Sequence, residues 1–213
     1  MRWGATGPRL QGMNYVPSIE PRLTPHRPVA PGSALDALVE WLLDLEQEAV
    51  ARLELITAEQ CAWTPHPDAN DPDVTFWHIA RWLDVLAASR VVTEPNPTEQ
   101  AWSRDGWVEH TGYDPTGIGY LGLGTLTGYS TEEMRAVPRL GSRALSTYLR
   151  TAVRDLTEVL RDLGAEEVNR DRGFGTPFQL LGSTIQGSFG HLGEIDSLVA
   201  LHDRLDERSG TRP

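Results

Sequence analysis

The residues best suited to chemistry in this sequence lie between Gly187 and Asp196, where a single histidine, His191, stands among glycines. Glu194 follows His191 by three residues, and side chains at this spacing are neighbours on the surface of a helix. Carboxylate and histidine pairs at this spacing serve metal sites in helical bundles. Glu194 is therefore either a candidate metal ligand or a solvated residue at the rim of the site.

A second histidine, His78, lies in an apolar stretch together with Arg81 and Trp82. Imidazole groups titrate near neutral pH and also bind metal ions, so a histidine pair can act as acid–base groups or as metal ligands. We take His78 and His191 as the candidate catalytic residues and, with Glu194, as the candidate metal ligands. Four residues are candidates for substrate binding: Arg81, Trp82, Trp107 and Gly187.

The elements that position these side chains follow from the spacing of apolar residues, which recur every three or four positions in four segments and predict helices there. In chain order, the four predicted helices cover residues 33–59, 74–86, 142–163 and 176–205. Gly164 is placed to stop the third helix, and Thr176 to cap the fourth. No segment shows convincing two-residue alternation, so we expect an all-α fold, an antiparallel four-helix bundle.

The two candidate histidines fall on the apolar faces of the second and fourth predicted helices. Bundles commonly hold metal or cofactor sites where such faces meet. We therefore expect His78 and His191 to approach each other across the bundle core beside Trp82, with Gly187 leaving room next to them.

The fourth predicted helix carries glycines in its interior: Gly182, Gly187, Gly190 and Gly193. Each should cost roughly 1 kcal/mol relative to alanine in a helix interior. Either neighbouring helices pack unusually close to the backbone there, or space is left beside His191 for a ligand.

A metal site would need more than two histidines, because a catalytic zinc site usually takes three protein ligands. His202 shares the face of His191 but lies roughly 16 Å further along the helix axis, so it cannot bind the same ion. The other histidines lie in connecting segments and are expected at the surface: His26, His66 and His110.

The segments outside the predicted helices organise the chain into an arm, one bundle domain and a tail. Residues 1–32 are rich in proline and predict an extended arm, 33–206 form the bundle, and 207–213 form the tail. Residues 93–141 are rich in glycine and predict a long excursion between the second and third helices, with helical turns near Trp102 and Glu132. Connections of this length are often lids or binding loops, so we expect the excursion to cover one end of the bundle.

Composition restricts the partners of this protein. The formal charge of −11 would repel nucleic acid and anionic membranes. The single cysteine, Cys61, excludes an internal disulfide and fits a reducing compartment. With no apolar run long enough for a membrane span, we expect a cytoplasmic protein. The partners left open are a small-molecule substrate and a second copy of the chain in a homodimer.

Three pieces of the chain resemble the DinB-like superfamily of four-helix bundles, including its thiol-transferase and maleylpyruvate-isomerase-like branches. The pieces are LITAEQCAWTP at 55–65, FWHIARWLD at 76–84 and GHLGEI at 190–195, and the likeness spans residues 33–205. The resemblance implies a divalent metal, zinc or nickel, bound by His78, His191 and a third histidine one turn before His191. That third position is Gly187, which has no side chain to bind a metal.

The resemblance leaves two principal hypotheses for function. The first is a transferase or isomerase acting at the bundle mouth, with a low-molecular-weight thiol as a possible cofactor and His78 and His191 as residual metal ligands or acid–base groups. The second is a non-catalytic small-molecule binder or dimerising protein that has lost the metal site. A role on DNA conflicts with the negative charge.

Overall fold

The computed structural model describes residues 34–91, 96–172 and 175–209, and the predicted N-terminal arm lies outside them. The secondary structure of the described residues is helical, without a strand. In chain order, the α-helices are α1 (Ala34–Leu55), α2 (Ala58–Ala62), α3 (Pro72–Ala88), α4 (Ala101–Arg104), α5 (Trp107–Thr111), α6 (Thr131–Ala136), α7 (Gly141–Val168) and α8 (Pro177–Ser209). The all-α class predicted from the sequence is confirmed.

The four long helices α1, α3, α7 and α8 correspond to the four predicted helices. Both α1 and α3 pack against α7 and α8, so the core lies between these two pairs. The antiparallel arrangement of the bundle stays a prediction. Among the described residues, no helix is long and apolar enough to cross a membrane.

Local hydrogen bonds, more than apolar periodicity, decide where the helices begin and end. The first predicted helix was expected to continue to Glu59, but α1 ends at Leu55. Thr57 has an extended backbone and caps α2 in a capping box with Gln60. Gly164 has φ 74° and interrupts α7 where a stop was predicted. Thr176 accepts a hydrogen bond from the Gln179 backbone amide and so caps α8. At the other end α8 runs to Ser209, so residues 207–209 of the predicted tail are helical.

The segment between α3 and α7 is anchored in the core by an aromatic side chain. Trp102 of α4 is fully buried and meets Trp77 of α3 edge to face, with 5.8 Å between ring centroids. Burying a ring of this size removes about 200 Å² of apolar surface from water, a gross stabilisation of about 5 kcal/mol. The helical turns predicted near Trp102 and Glu132 correspond to α4 and α6.

A buried ion pair ties the same segment to α3. Arg81 and Asp84 lie one helical turn apart, with side chains 0% and 2% exposed and 3.0 Å between Nη1 and Oδ2. The Asp84 carboxylate also accepts hydrogen bonds from the backbone N–H groups of Ala101 at 2.7 Å and Trp102 at 3.1 Å. The hydroxyl of Tyr148 on α7 donates to it at 2.8 Å.

The Arg81 guanidinium binds the far end of the segment. It donates to the backbone carbonyls of Leu123 and Gly124 at 3.3 and 3.1 Å, and to the side-chain oxygen of Gln100 at 2.9 Å. Removing two charges from water costs several kcal/mol per ion unless hydrogen bonds satisfy both groups. Here each charged group has several partners, and together they hold the segment on α3 and α7.

The first prediction concerns this ion pair. Asp84→Ala leaves the Arg81 charge buried without its carboxylate, and breaking a buried pair in this way typically costs 3–5 kcal/mol. We expect a large fall in the urea midpoint of unfolding. The control is Asp162→Ala, which removes an exposed carboxylate paired with Arg90 and should change stability by less than about 1 kcal/mol. Equal midpoints for the two variants would contradict the prediction.

Candidate functional site

The two candidate histidines lie against each other between α3 and α8. The ring centroids of His78 and His191 are 4.9 Å apart, and the rings meet edge to face at 80°. The expected approach of these two side chains is therefore present in the structure. Both histidines line one cavity of about 460 Å³, a volume that suits a small-molecule ligand.

The hydrogen bond made by His78 fixes the tautomer of its ring. Nδ1 of His78 contacts the backbone carbonyl oxygen of Thr125. A carbonyl oxygen can only accept, so Nδ1 carries the hydrogen and Nε2 keeps its lone pair. Burial is the main cause that lowers the pKa of His78 to about 4, and the neighbouring His191 lowers it further. The imidazole of His78 is therefore neutral at neutral pH.

His191 is oriented by its own helix. Its Nδ1 lies 2.7 Å from Oε2 of Glu194, one turn further along α8, and the ionised carboxylate accepts that hydrogen bond. This arrangement leaves Nε2 of His191 available, as in metal-binding and catalytic histidines held by a carboxylate. Glu194, which was considered as a third metal ligand, therefore contacts the opposite nitrogen of the ring.

The remaining wall of the cavity comes from three places in the chain. Asp68 and Asn70 lie in the connection between α2 and α3, and Thr75 of α3 lies one turn before His78. The segment between α3 and α7 contributes Leu126, Thr127, Tyr129, Ser130, Thr131 and Met134. The hydroxyl groups of Tyr129 and Tyr113 are 3.2 Å apart. Residues with hydroxyl, carboxylate and imidazole groups therefore line the same cavity as apolar residues.

The four residues predicted to bind substrate are not among the described residues that line this cavity. Arg81 is consumed by the buried ion pair and has no exposed surface to offer a ligand. Trp107 stacks on Trp102, with centroids 5.8 Å apart and planes at 17°. Trp82 is half-buried, and Gly187 is exposed on α8.

Sequence reasoning missed the residues that the segment between α3 and α7 brings to the site. Thr125, whose carbonyl fixes His78, carries no chemical signal in its side chain, because the interacting group is the backbone. Tyr129 and Met134 lie in a stretch without sustained periodicity. The Gly-rich composition indicated a binding segment, but it could not indicate which of its residues face the histidines.

The glycines of α8 are not explained by close helix packing. A Cβ atom built on Gly182, Gly187, Gly190 or Gly193 would meet no neighbouring atom within 4 Å. The close-packing alternative is therefore wrong for these positions. Gly190 and Gly193 instead line a second cavity of about 600 Å³ that also includes Glu194.

Most of the chain matches a single protein family. A family model described as the DinB superfamily matches residues 42–195, well over half of the sequence. The chain belongs to the DinB superfamily. The match begins in α1 and ends just after Glu194, so it contains the histidine pair. No curated protein matches the chain.

The metal implied by a DinB-like fold fits these residues only in part. In both His78 and His191, Nδ1 is hydrogen-bonded and Nε2 has no partner among the described residues, which suits a metal ligand. The third position, Gly187, offers no donor atom. Among the described residues, the set that brings three donor atoms within 4.8 Å of one another lies elsewhere on the bundle. Two imidazoles alone would hold a metal ion weakly.

The second prediction concerns acid stability and follows from His78. Its folded pKa of about 4 lies below the ordinary value of 6.5, so the unfolded chain binds more protons between these values. The full free energy of unfolding is present above pH 6.5 and falls by roughly 3 kcal/mol in total as the pH drops towards 4. The measurement is the free energy of unfolding in urea as a function of pH, in protein treated with chelator. His78→Gln should reduce the slope of this free energy against pH in this window. His110→Gln, an exposed control, should keep the wild-type slope, and identical slopes for all three proteins would contradict the prediction.

The third prediction concerns the missing ligand. Gly187→His places an imidazole one turn before His191, a spacing at which two histidines can grip one ion, and open space receives the new side chain. Zinc and nickel binding should tighten markedly in calorimetric titration. Gly182→His is the matched control, because it adds the same group to open space on α8 away from the pair. Equal affinity in the two variants would show that Gly187 is not a lost ligand position.

Proposed function

We propose that this DinB-superfamily protein is a transferase- or isomerase-like enzyme in which the histidine pair acts on a small molecule by proton transfer. The observation that carries the proposal is the shared cavity, where two imidazoles meet with each Nδ1 already hydrogen-bonded. This arrangement leaves two Nε2 atoms for a ligand. A role as a simple core histidine would require neither the cavity nor the carboxylate partner.

The two histidines have different parts in the proposed chemistry. A base with a pKa of about 4 removes protons poorly at neutral pH, so His78 is a hydrogen-bond acceptor that orients the ligand. His191 is the proton acceptor, because the Glu194 carboxylate holds its Nδ1 and leaves Nε2 to take the proton. No step passes through a metal ion.

The proposed nucleophile is a low-molecular-weight thiol supplied as a cosubstrate, as the family resemblance implies. The chain's own thiol does not compete for this role, because Cys61 is 2% exposed and burial raises its pKa to about 12. In the proposed step, Nε2 of His191 accepts the proton of the cosubstrate's S–H group. The sulfur then forms a bond to an electrophilic carbon of the substrate while the bond from that carbon to its leaving group breaks. The proton passes from His191 to the leaving group or, when that group is as weakly basic as chloride, to water.

A second candidate function is binding without catalysis. It is favoured by Gly187, which removes a ligand position of the family, and by the low basicity of His78. In that case the cavity would hold a small molecule and release it unchanged. The two functions differ in turnover and not in affinity.

The fourth prediction tests turnover directly. With a low-molecular-weight thiol and chlorodinitrobenzene as a general electrophile, His191→Gln should lower kcat by about 100-fold or more, the usual effect of losing an acid–base group. Glu194→Gln should lower kcat by a smaller factor and shift its pH profile. His110→Gln, an exposed histidine outside the cavity, is the control. Saturable thiol binding without turnover would support the second candidate function, binding without catalysis. An unchanged kcat in His191→Gln would contradict the proposed mechanism.

A further inference from the structure

A second group of metal-binding side chains lies where α2 meets the C-terminal part of α8. Nε2 of His202 is 4.0 Å from Oε1 of Glu59 and 3.8 Å from Oδ2 of Asp206. The three donor atoms all lie within 4.8 Å of one another. His202 and Asp206 lie beyond the residues matched by the family model, whereas Glu59 lies within them.

His202 differs from an ordinary surface histidine. It is only 5% exposed, and its ring meets that of Trp63 edge to face with 5.5 Å between centroids. Its Nδ1 is buried and has no hydrogen-bond partner among the described residues, although Oδ1 of Asp203 approaches it to 3.5 Å. A buried polar nitrogen without a partner costs about 1–3 kcal/mol. A small shift of the ring would let Nδ1–H donate a hydrogen bond to Asp203. The lone pair of Nε2 would then lie on the side of Glu59 and Asp206.

Neighbouring interactions hold the two helices in register at this place. The side-chain amide of Gln60 donates to Oδ1 of Asp203 at 2.8 Å, which links α2 directly to α8. Gln60 also closes the capping box with Thr57, so the start of α2 is fixed. Glu59 directly precedes Gln60 in the chain and is thereby held next to His202.

We propose that Glu59, His202 and Asp206 form a binding site for a divalent transition-metal ion of the zinc type. One neutral imidazole and two carboxylates balance the charge of such an ion, and nitrogen and carboxylate oxygen are ligands that zinc accepts. Three protein ligands leave a position for water. The donor atoms lie slightly farther apart than in a closed site, and rotation of the Glu59 side chain, which is 79% exposed, brings them closer together around the ion. Asp203 beside Nδ1 supplies the outer carboxylate that orients metal-binding histidines.

This site joins α2 to α8 outside the cavity of the histidine pair. It does not depend on the proposed function, because no atom of the group lines that cavity. A metal ion bound here would cross-link the two helices and raise the stability of the folded chain in proportion to its concentration.

The experiment uses the full chain carrying His78→Gln and His191→Gln, so that zinc cannot bind to the histidine pair. Calorimetric titration with Zn²⁺ alone should show one saturable site per chain. Glu59→Gln and Asp206→Asn should each weaken this binding at least tenfold. Their side chains are 79% and 40% exposed, so both variants are expected to fold.

Glu207→Gln is the matched control, because it removes the same charge one residue further along α8 and points about 100° away around the helix. It should leave zinc affinity unchanged. The ring nitrogen signals of His202 in NMR should shift on saturation, which a diffuse attraction to acidic groups would not cause. Absence of saturable binding, or equal weakening by all three variants, would overturn the proposal. Glu59→Gln in the otherwise unchanged chain should keep the thiol-dependent turnover, so the two proposals fail separately.

Discussion

The buried pair of Arg81 and Asp84 is the constraint on which the site depends. An ion pair at 0% and 2% exposure is tolerated only where further hydrogen bonds replace the lost water. The chain supplies those bonds from the backbone of the segment between α3 and α7, at Ala101 and Trp102 on one side and at Leu123 and Gly124 on the other. The Arg81–Asp84 pair of α3 therefore holds this glycine-rich segment in one conformation.

The same constraint reaches the chemistry of the site. Thr125 follows directly after the carbonyl groups bound by Arg81, and its own carbonyl sets the hydrogen of His78 on Nδ1. His78 and Arg81 lie three residues apart on α3, so neighbouring side chains of one helix bind consecutive carbonyls of the segment. Scaffold and site are thus joined through backbone groups, and the protonation of His78 follows from how the segment is held.

Helix α8 presents its histidines in two different settings. His191 lies at the edge of the buried face, where exposed glycines leave open space beside it and Glu194 holds its ring. His202 lies three turns further on, buried against Trp63 and surrounded by acidic groups from α2 and α8. A glycine at 187 removes a donor from the first setting, while the second gains donors from a neighbouring helix. The metal site proposed at His202 therefore lies away from the position that the superfamily resemblance implies.

The sequence by itself determined the helical class, the four long helices and the meeting of His78 with His191, because apolar periodicity fixes which face of each helix enters the core. It also determined the Gly164 interruption and the Thr176 cap, which depend on neighbouring residues alone. Only the tertiary structure decided that Arg81 serves the fold, that Glu194 binds Nδ1 of His191, and that Thr125 completes the site. It alone placed Glu59 beside His202 as well. Three of these outcomes depend on backbone carbonyls or on groups that are distant in sequence, and neither leaves a pattern along the chain. The spacing of His191 and Glu194 predicts that they are neighbours, but it does not decide which ring nitrogen the carboxylate contacts.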